Sequence, residues 1–230
     1  MLFWIIFAVQ LLILFITSRH ISSGLFLFFR KFLKSDRLAV IPVFILFLPG
    51  VVIHELAHLL VAEILFVKTY EIEIFPKLEN GHLHMGSVQI RQTDMIRRFL
   101  IGVAPLIVGS LILFGILYYI LNDVRISELF SSPLNIFKAI LIIWVVFFTT
   151  NTMFSSKKDM EGALKFIFIL LFLGFVALIA AYILKINPLR VIYEVLNTKG
   201  VVDALKIITS LFVVPVVINL LFAVGLRPRS

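Results

Sequence analysis

Stretches of 16 to 29 mostly apolar residues follow one another along nearly the whole chain. A helix needs about 20 apolar residues to cross a bilayer core. Within hydrocarbon, helices and closed barrels alone satisfy their own backbone groups. The runs are Leu2–Thr17, Ala39–Val67, Phe99–Leu121, Ile136–Asn151, Ala163–Leu184 and Ile207–Leu226. A membrane barrel would instead need many alternating segments of about 10 residues. The expected fold is therefore an all-α polytopic membrane protein with about six transmembrane segments. Composition agrees, with 61% apolar and 15% charged residues, where soluble domains hold about 45–50% and about 25%. A cytosolic globular protein and a disordered chain are both excluded.

The net charge is +8. The basic residues lie between the apolar runs, where they meet anionic lipid headgroups, so membrane lipid is the expected partner and nucleic acid is not. The chain has no cysteine, which excludes thiolate metal sites, iron–sulfur clusters and disulfides. Met1–Thr17 lacks the basic start and small-residue cleavage site of a signal peptide, so it reads as a retained first span.

Three regions follow. Residues 1–38 read as an N-terminal span and a basic amphipathic linker, since Arg19 to Arg37 carries five Lys/Arg around an apolar Ile21–Phe29. Residues 39–162 read as a core. In it Pro42 and Pro49-Gly50 break a long apolar run, so that a helix is expected from about Val51 to Phe66. Residues 68–92 of this core alternate polar and apolar on both sides of Glu79-Asn80-Gly81, the pattern of a β-hairpin. Residues 163–230 read as two C-terminal transmembrane helices. Pro105 and Pro215 fall inside spans, where neighbouring helices can satisfy the freed backbone.

Val51–Leu60 reads V-V-I-H-E-L-A-H-L-L, an H-E-x-x-H pattern. On a helix His54 and His58 lie one turn apart on one face, where two imidazoles can share a Zn²⁺. Glu55 is placed to take a proton from a metal-bound water. Ionisable groups inside an apolar span are costly, which points to function. A catalytic zinc needs a third protein ligand and an open position. Glu63 is half a turn out of phase with His54. The acids just past the fourth apolar run are Asp159 and Glu161, and a turn at Ser155–Lys158 would bring Asp159, ahead of Glu161, back toward the metal. His82 and His84 share one side of a strand and read as surface residues, and His20 as interfacial. The small residues of Gly102–Gly109 suit close helix packing.

H-E-L-A-H in an apolar helix, followed by Asn151 eight residues before Asp159, resembles the site-2 protease family of intramembrane zinc metalloproteases. The resemblance covers roughly Pro49 to Gly162, and Lys158-Asp159-Met160 departs from the family's Leu-Asp-Gly, as of a compact, divergent member. It implies that His54, His58 and Asp159 bind one catalytic zinc, that Glu55 is the acid/base, and that Asn151 contacts the substrate. The function expected is zinc-dependent intramembrane endoproteolysis of a transmembrane protein substrate. The hairpin's strand edge could hold an unwound substrate by strand addition. The alternatives are a non-proteolytic zinc-site scaffold or regulator and, further off, a transporter.

Overall fold

The computed structural model describes residues 2–73, 75, 77–79, 82–84, 86–123, 131–154, scattered positions from 169 to 194, and 196–226. Five of its helices are long and apolar enough to cross a membrane. They are α1 (Leu2–Leu33), α2 (Asp36–Ile64), α3 (Met95–Asp123), α4 (Pro133–Thr152) and α5 (Lys199–Gly225). Between α2 and α3 lie β1 (Thr69–Glu73), β2 (Lys77–Glu79), β3 (His82–His84) and β4 (Ser87–Ile90). The architecture is an all-α membrane protein with a small β element, and it differs from the expectation in three places.

The first run and the basic linker form one 32-residue helix, where a short span and a separate amphipathic segment were expected. The polar residues at the junction do not interrupt it, because their hydroxyls are satisfied within the helix. Thr17 Oγ1 donates to Ile13 O, Ser18 Oγ to Phe15 O and Ser22 Oγ to Ser18 O. Arg19 lays its guanidinium 4.3 Å from the centre of the Phe15 ring, covering its charge with aromatic surface.

The long apolar run is likewise one 29-residue helix that passes through Pro42 and Pro49. It starts at Ser35, whose side chain accepts from Leu38 N. Trp144 Nε1–H donates to Leu46 O at 3.2 Å, so α4 supplies a donor in the turn that Pro49 disturbs. Gly50 adds no side chain, and Phe148 and Thr152 of α4 occupy the space that a Cβ would need.

Helix direction accounts for the third difference. Leu46 meets Trp144 and His54 meets Thr152, so α2 and α4 run parallel. Gln10 meets Thr209, Thr17 meets Asn219 and Gly24 meets Leu226, so α1 and α5 run parallel. The tight α1–α2 connection makes these pairs antiparallel to each other. Thus α4 runs toward the end of the bundle at which α5 begins, and its last turn lies level with His54 and Asn219. After a complete crossing by α4, a single crossing at Ala163–Leu184, as the six-span expectation required, would deliver α5 the wrong way round. That run lies partly outside the described residues, and the described part of Leu171–Ala181 is an apolar helix shorter than a span.

The β element is a nested hairpin. Lys77 pairs with His84 and Glu79 with His82, flanking Asn80-Gly81, and β1 pairs antiparallel with β4 further out. A bulge lies between Thr69 and Ile72 of β1. The chain turns from α2 into β1 through Phe66, at φ 56. Val67 N bonds Ala62 O and Phe66 N bonds Glu63 O, the paired bonds of a Schellman stop. Val67, Ala62 and Ile101 then form a small buried cluster with Ile90, which pins the hairpin's return strand to α2 and α3.

Candidate metal centre

His54 and His58 sit on one face of α2, as the four-residue spacing requires, with ring centroids 4.8 Å apart. Each ring is fixed from behind by a neighbouring helix. His54 Nδ1 lies 2.5 Å from Thr152 O, and His58 Nδ1 lies 2.7 Å from Ile101 O. A carbonyl oxygen can only accept, so each Nδ1 carries a proton and donates it. In the neutral rings each Nε2 then presents a lone pair. The two Nε2 atoms face each other at 3.2 Å.

Both carbonyls are available for reasons visible in the backbone. Thr152 is the last residue of α4, and the last carbonyls of a helix lack intrahelical donors. Ile101 lies four residues before Pro105, which has no N–H to give it.

Two lone pairs pointed at one another repel unless a proton or a metal cation lies between them. Two nitrogens held tetrahedrally by one Zn²⁺ at about 2.0–2.1 Å stand about 3.3–3.4 Å apart. The observed 3.2 Å falls just short of that spacing. Imidazole donors suit zinc, and Nδ1 bonds to carbonyls are the usual outer support of metal-binding histidines. The two imidazoles therefore suit two of the positions of a zinc site.

Glu55 is 5% exposed, its neighbours being α2 itself and the hairpin. Gly86, just before β4, lies so close that a Cβ there would stand 2.5 Å from Glu55 Oε1 and 3.0 Å from Val51. The hairpin's return strand thus roofs the carboxylate, and glycine is the residue that permits it. Beside His54 is a cavity of about 10 Å³, bounded by Pro105, Gly109, Thr149 and Met153. That is close to the room one water needs. Thr149 Oγ1 is buried there with no hydrogen-bond partner among the described residues. The hydroxyls of Thr150 and Thr152, by contrast, bond back to Val146 O and Phe148 O.

Asn151 is also buried, but its amide faces the other side of α4. Its Nδ2 donates to Phe147 O at 2.7 Å and to Asn219 Oδ1 at 3.0 Å. Asn219 Nδ2 returns a bond to Asn151 Oδ1 and another to Thr17 Oγ1, each at 3.3 Å. A contact between Asn151 and substrate requires this pair to open. Asp159 and Glu161 lie outside the described residues, and no third His, Cys, Asp or Glu joins the pair among the described residues. Thr152, seven residues before Asp159, already touches His54.

Sequence reading had not singled out Ile101, Thr152, Thr149 or Gly86. Carbonyl partners leave no side-chain signature, but a proline in a span and a glycine next to a strand are visible signals. Comparison with protein-family models, with curated proteins and with solved structures returns no match for this chain.

Proposed function

We propose that the chain is a zinc-dependent intramembrane endopeptidase acting on transmembrane protein segments, with His54, His58 and Asp159 as the ligands and Glu55 as the acid/base. The observation that supports it most is the pair of Nε2 atoms 3.2 Å apart, each ring oriented by a carbonyl, beside the buried Glu55.

Zinc, when bound, supplies a Lewis acid that acidifies a water and polarises a scissile carbonyl. The chain's own residues do the rest. The carbonyls of Thr152 and Ile101 hold both imidazoles with Nε2 inward. Glu55 takes a proton from the attacking water and gives it to the departing amine. The packing of α3 and α4 leaves beside His54 a space of about 10 Å³, close to the room one water needs.

The test is zinc content and peptide cleavage in detergent-purified protein, with tagged single-span peptides as probes. The wild type is expected to carry about one zinc, and Glu55→Gln to keep it while losing cleavage by at least about 100-fold. Folded wild type without zinc, or Glu55→Gln that cleaves like wild type, would overturn the reading. The scaffold alternative predicts no cleavage by either protein.

A further inference from the structure

We infer that Pro105 is a positioning residue for His58: it releases the Ile101 carbonyl from α3, and that carbonyl holds His58 as the Nδ1–H tautomer with Nε2 turned toward His54. The inference rests on the reading of His58 as a metal ligand for its purpose, though not for its geometry.

In an uninterrupted helix, Ile101 O would accept from the N–H of residue 105. Proline has none, and its ring also presses on the carbonyl four residues back and tilts it off the helix axis. An unpartnered carbonyl in a membrane-embedded helix is costly. Here Ile101 is 3% exposed, so water does not reach it freely, and the donor that satisfies its oxygen is His58 Nδ1 at 2.7 Å. The need is mutual. The carbonyl gains a donor, and the imidazole loses its choice of tautomer. Without that bond a neutral imidazole can protonate either nitrogen, and the form with Nε2–H cannot bind a metal through Nε2.

Pro105 also bounds the cavity beside His54, so a single residue shapes both halves of the site. An ordinary helix kink would leave the freed carbonyl to a serine or threonine of its own helix or to any neighbour. This one is met by a ring whose opposite nitrogen faces a second histidine at 3.2 Å.

The experiment compares wild type with Pro105→Ala, which restores the missing N–H, and uses Pro215→Ala as a second in-span proline removed from the site. Zinc-free protein labelled with ¹⁵N-histidine is read by NMR, with the His58 signal identified by its loss in His58→Asn. Zinc affinity is read by chelator competition, and folding by thermal melting. Expected are a pure Nδ1–H signal for His58 in wild type and a mixed signal in Pro105→Ala. Zinc affinity should fall about 10-fold or more in Pro105→Ala, its melting temperature should not fall, and Pro215→Ala should match wild type in tautomer and affinity. A purely structural proline would instead lower the melting temperature and leave the tautomer alone. A wild-type His58 protonated at Nε2 overturns the inference whether or not the variant folds, as does a Pro105→Ala protein with unchanged tautomer and affinity. Wild type that binds no zinc yet shows the Nδ1–H signal removes the metal reading and supports the role of Pro105.

Discussion

At the scale of single residues, variants at Gly86 and Thr149 test the proposed turnover separately from the proposed metal binding. A Cβ at position 86 falls on Glu55 Oε1 and also comes within 3.0 Å of Val51, so the carboxylate or the hairpin has to shift. Gly86→Val is therefore expected to displace the carboxylate or lift the hairpin. Peptide cleavage should drop about 10-fold or more, while zinc content, which the proposal assigns to His54, His58 and Asp159, stays at the wild-type value. Loss of zinc in this variant would show that the hairpin supports the histidines and not Glu55. Thr149 carries the opposite expectation for stability. Its hydroxyl is buried without a partner among the described residues, and an unsatisfied buried hydroxyl costs about 1–3 kcal/mol. Thr149→Val keeps the shape, so thermal unfolding is expected at the wild-type temperature or above it. Cleavage is expected to fall, since the hydroxyl faces the cavity beside His54. A variant less stable than wild type would place a partner on Thr149.

At the scale of elements, the helices are held by polar contacts that hydropathy does not reveal. Asn151 and Asn219 exchange bonds across α4 and α5, and Thr17 of α1 joins them. Asn219→Leu leaves two buried groups without their partner, so unfolding stability should fall by about 1–2 kcal/mol, read by thermal melting in detergent. The start of α3 has a pH dependence. Asp94 Oδ1 accepts from Arg97 N at 3.0 Å, and its other oxygen lies 3.1 Å from Arg97 Nε. The backbone bond first, and the guanidinium charge after it, hold the Asp94 carboxyl below its ordinary 3.8. A depressed acid stabilises the fold above its unfolded value, and that contribution is lost as pH falls through the folded one. Melting curves taken downward from pH 5 should show this loss in wild type, and the Asp94→Asn protein should lack that part of it. What was legible beforehand follows the same division. His54, Glu55 and His58 were placed by spacing, because helical neighbours four apart must meet, and the hairpin by alternation around Asn80-Gly81. The partners across helices were not legible, because Thr152 O, Ile101 O and Asn219 come near the site through packing alone. Helix continuity was misread at Ser18 and at Pro49 for one reason. Local rules assign breaks to polar residues and prolines, whereas inside a bundle hydroxyls bond back to their own helix and Trp144 donates to α2 beside Pro49.

At the scale of the whole molecule, the directions of the five helices make a statement about topology that apolar runs alone do not. With α1 parallel to α5 and α2 parallel to α4, Arg91 before α3 and Lys199 at the start of α5 belong to one end of the bundle. Lys31 at the end of α1 belongs to the other. Six single crossings would instead put Lys199 with Lys31. The chain has no cysteine, so one introduced thiol is the sole thiol present. Arg91→Cys, Lys199→Cys and Lys31→Cys, all at exposed positions, can be reacted with a membrane-impermeant maleimide in sealed vesicles of one orientation. The thiols at 91 and 199 are expected to label from the same side, and the thiol at 31 from the opposite side. Labelling of 199 together with 31 would mean that α5 starts at the end of the bundle where α1 ends. Asn219 would then approach Asn151 from a reversed α5, and the three-helix contact among Thr17, Asn151 and Asn219 could not form as described. The same experiment places the metal centre. His54 and Thr152 lie toward the end that carries Arg91, so the side on which that residue labels is the side from which water has the shorter path to Glu55.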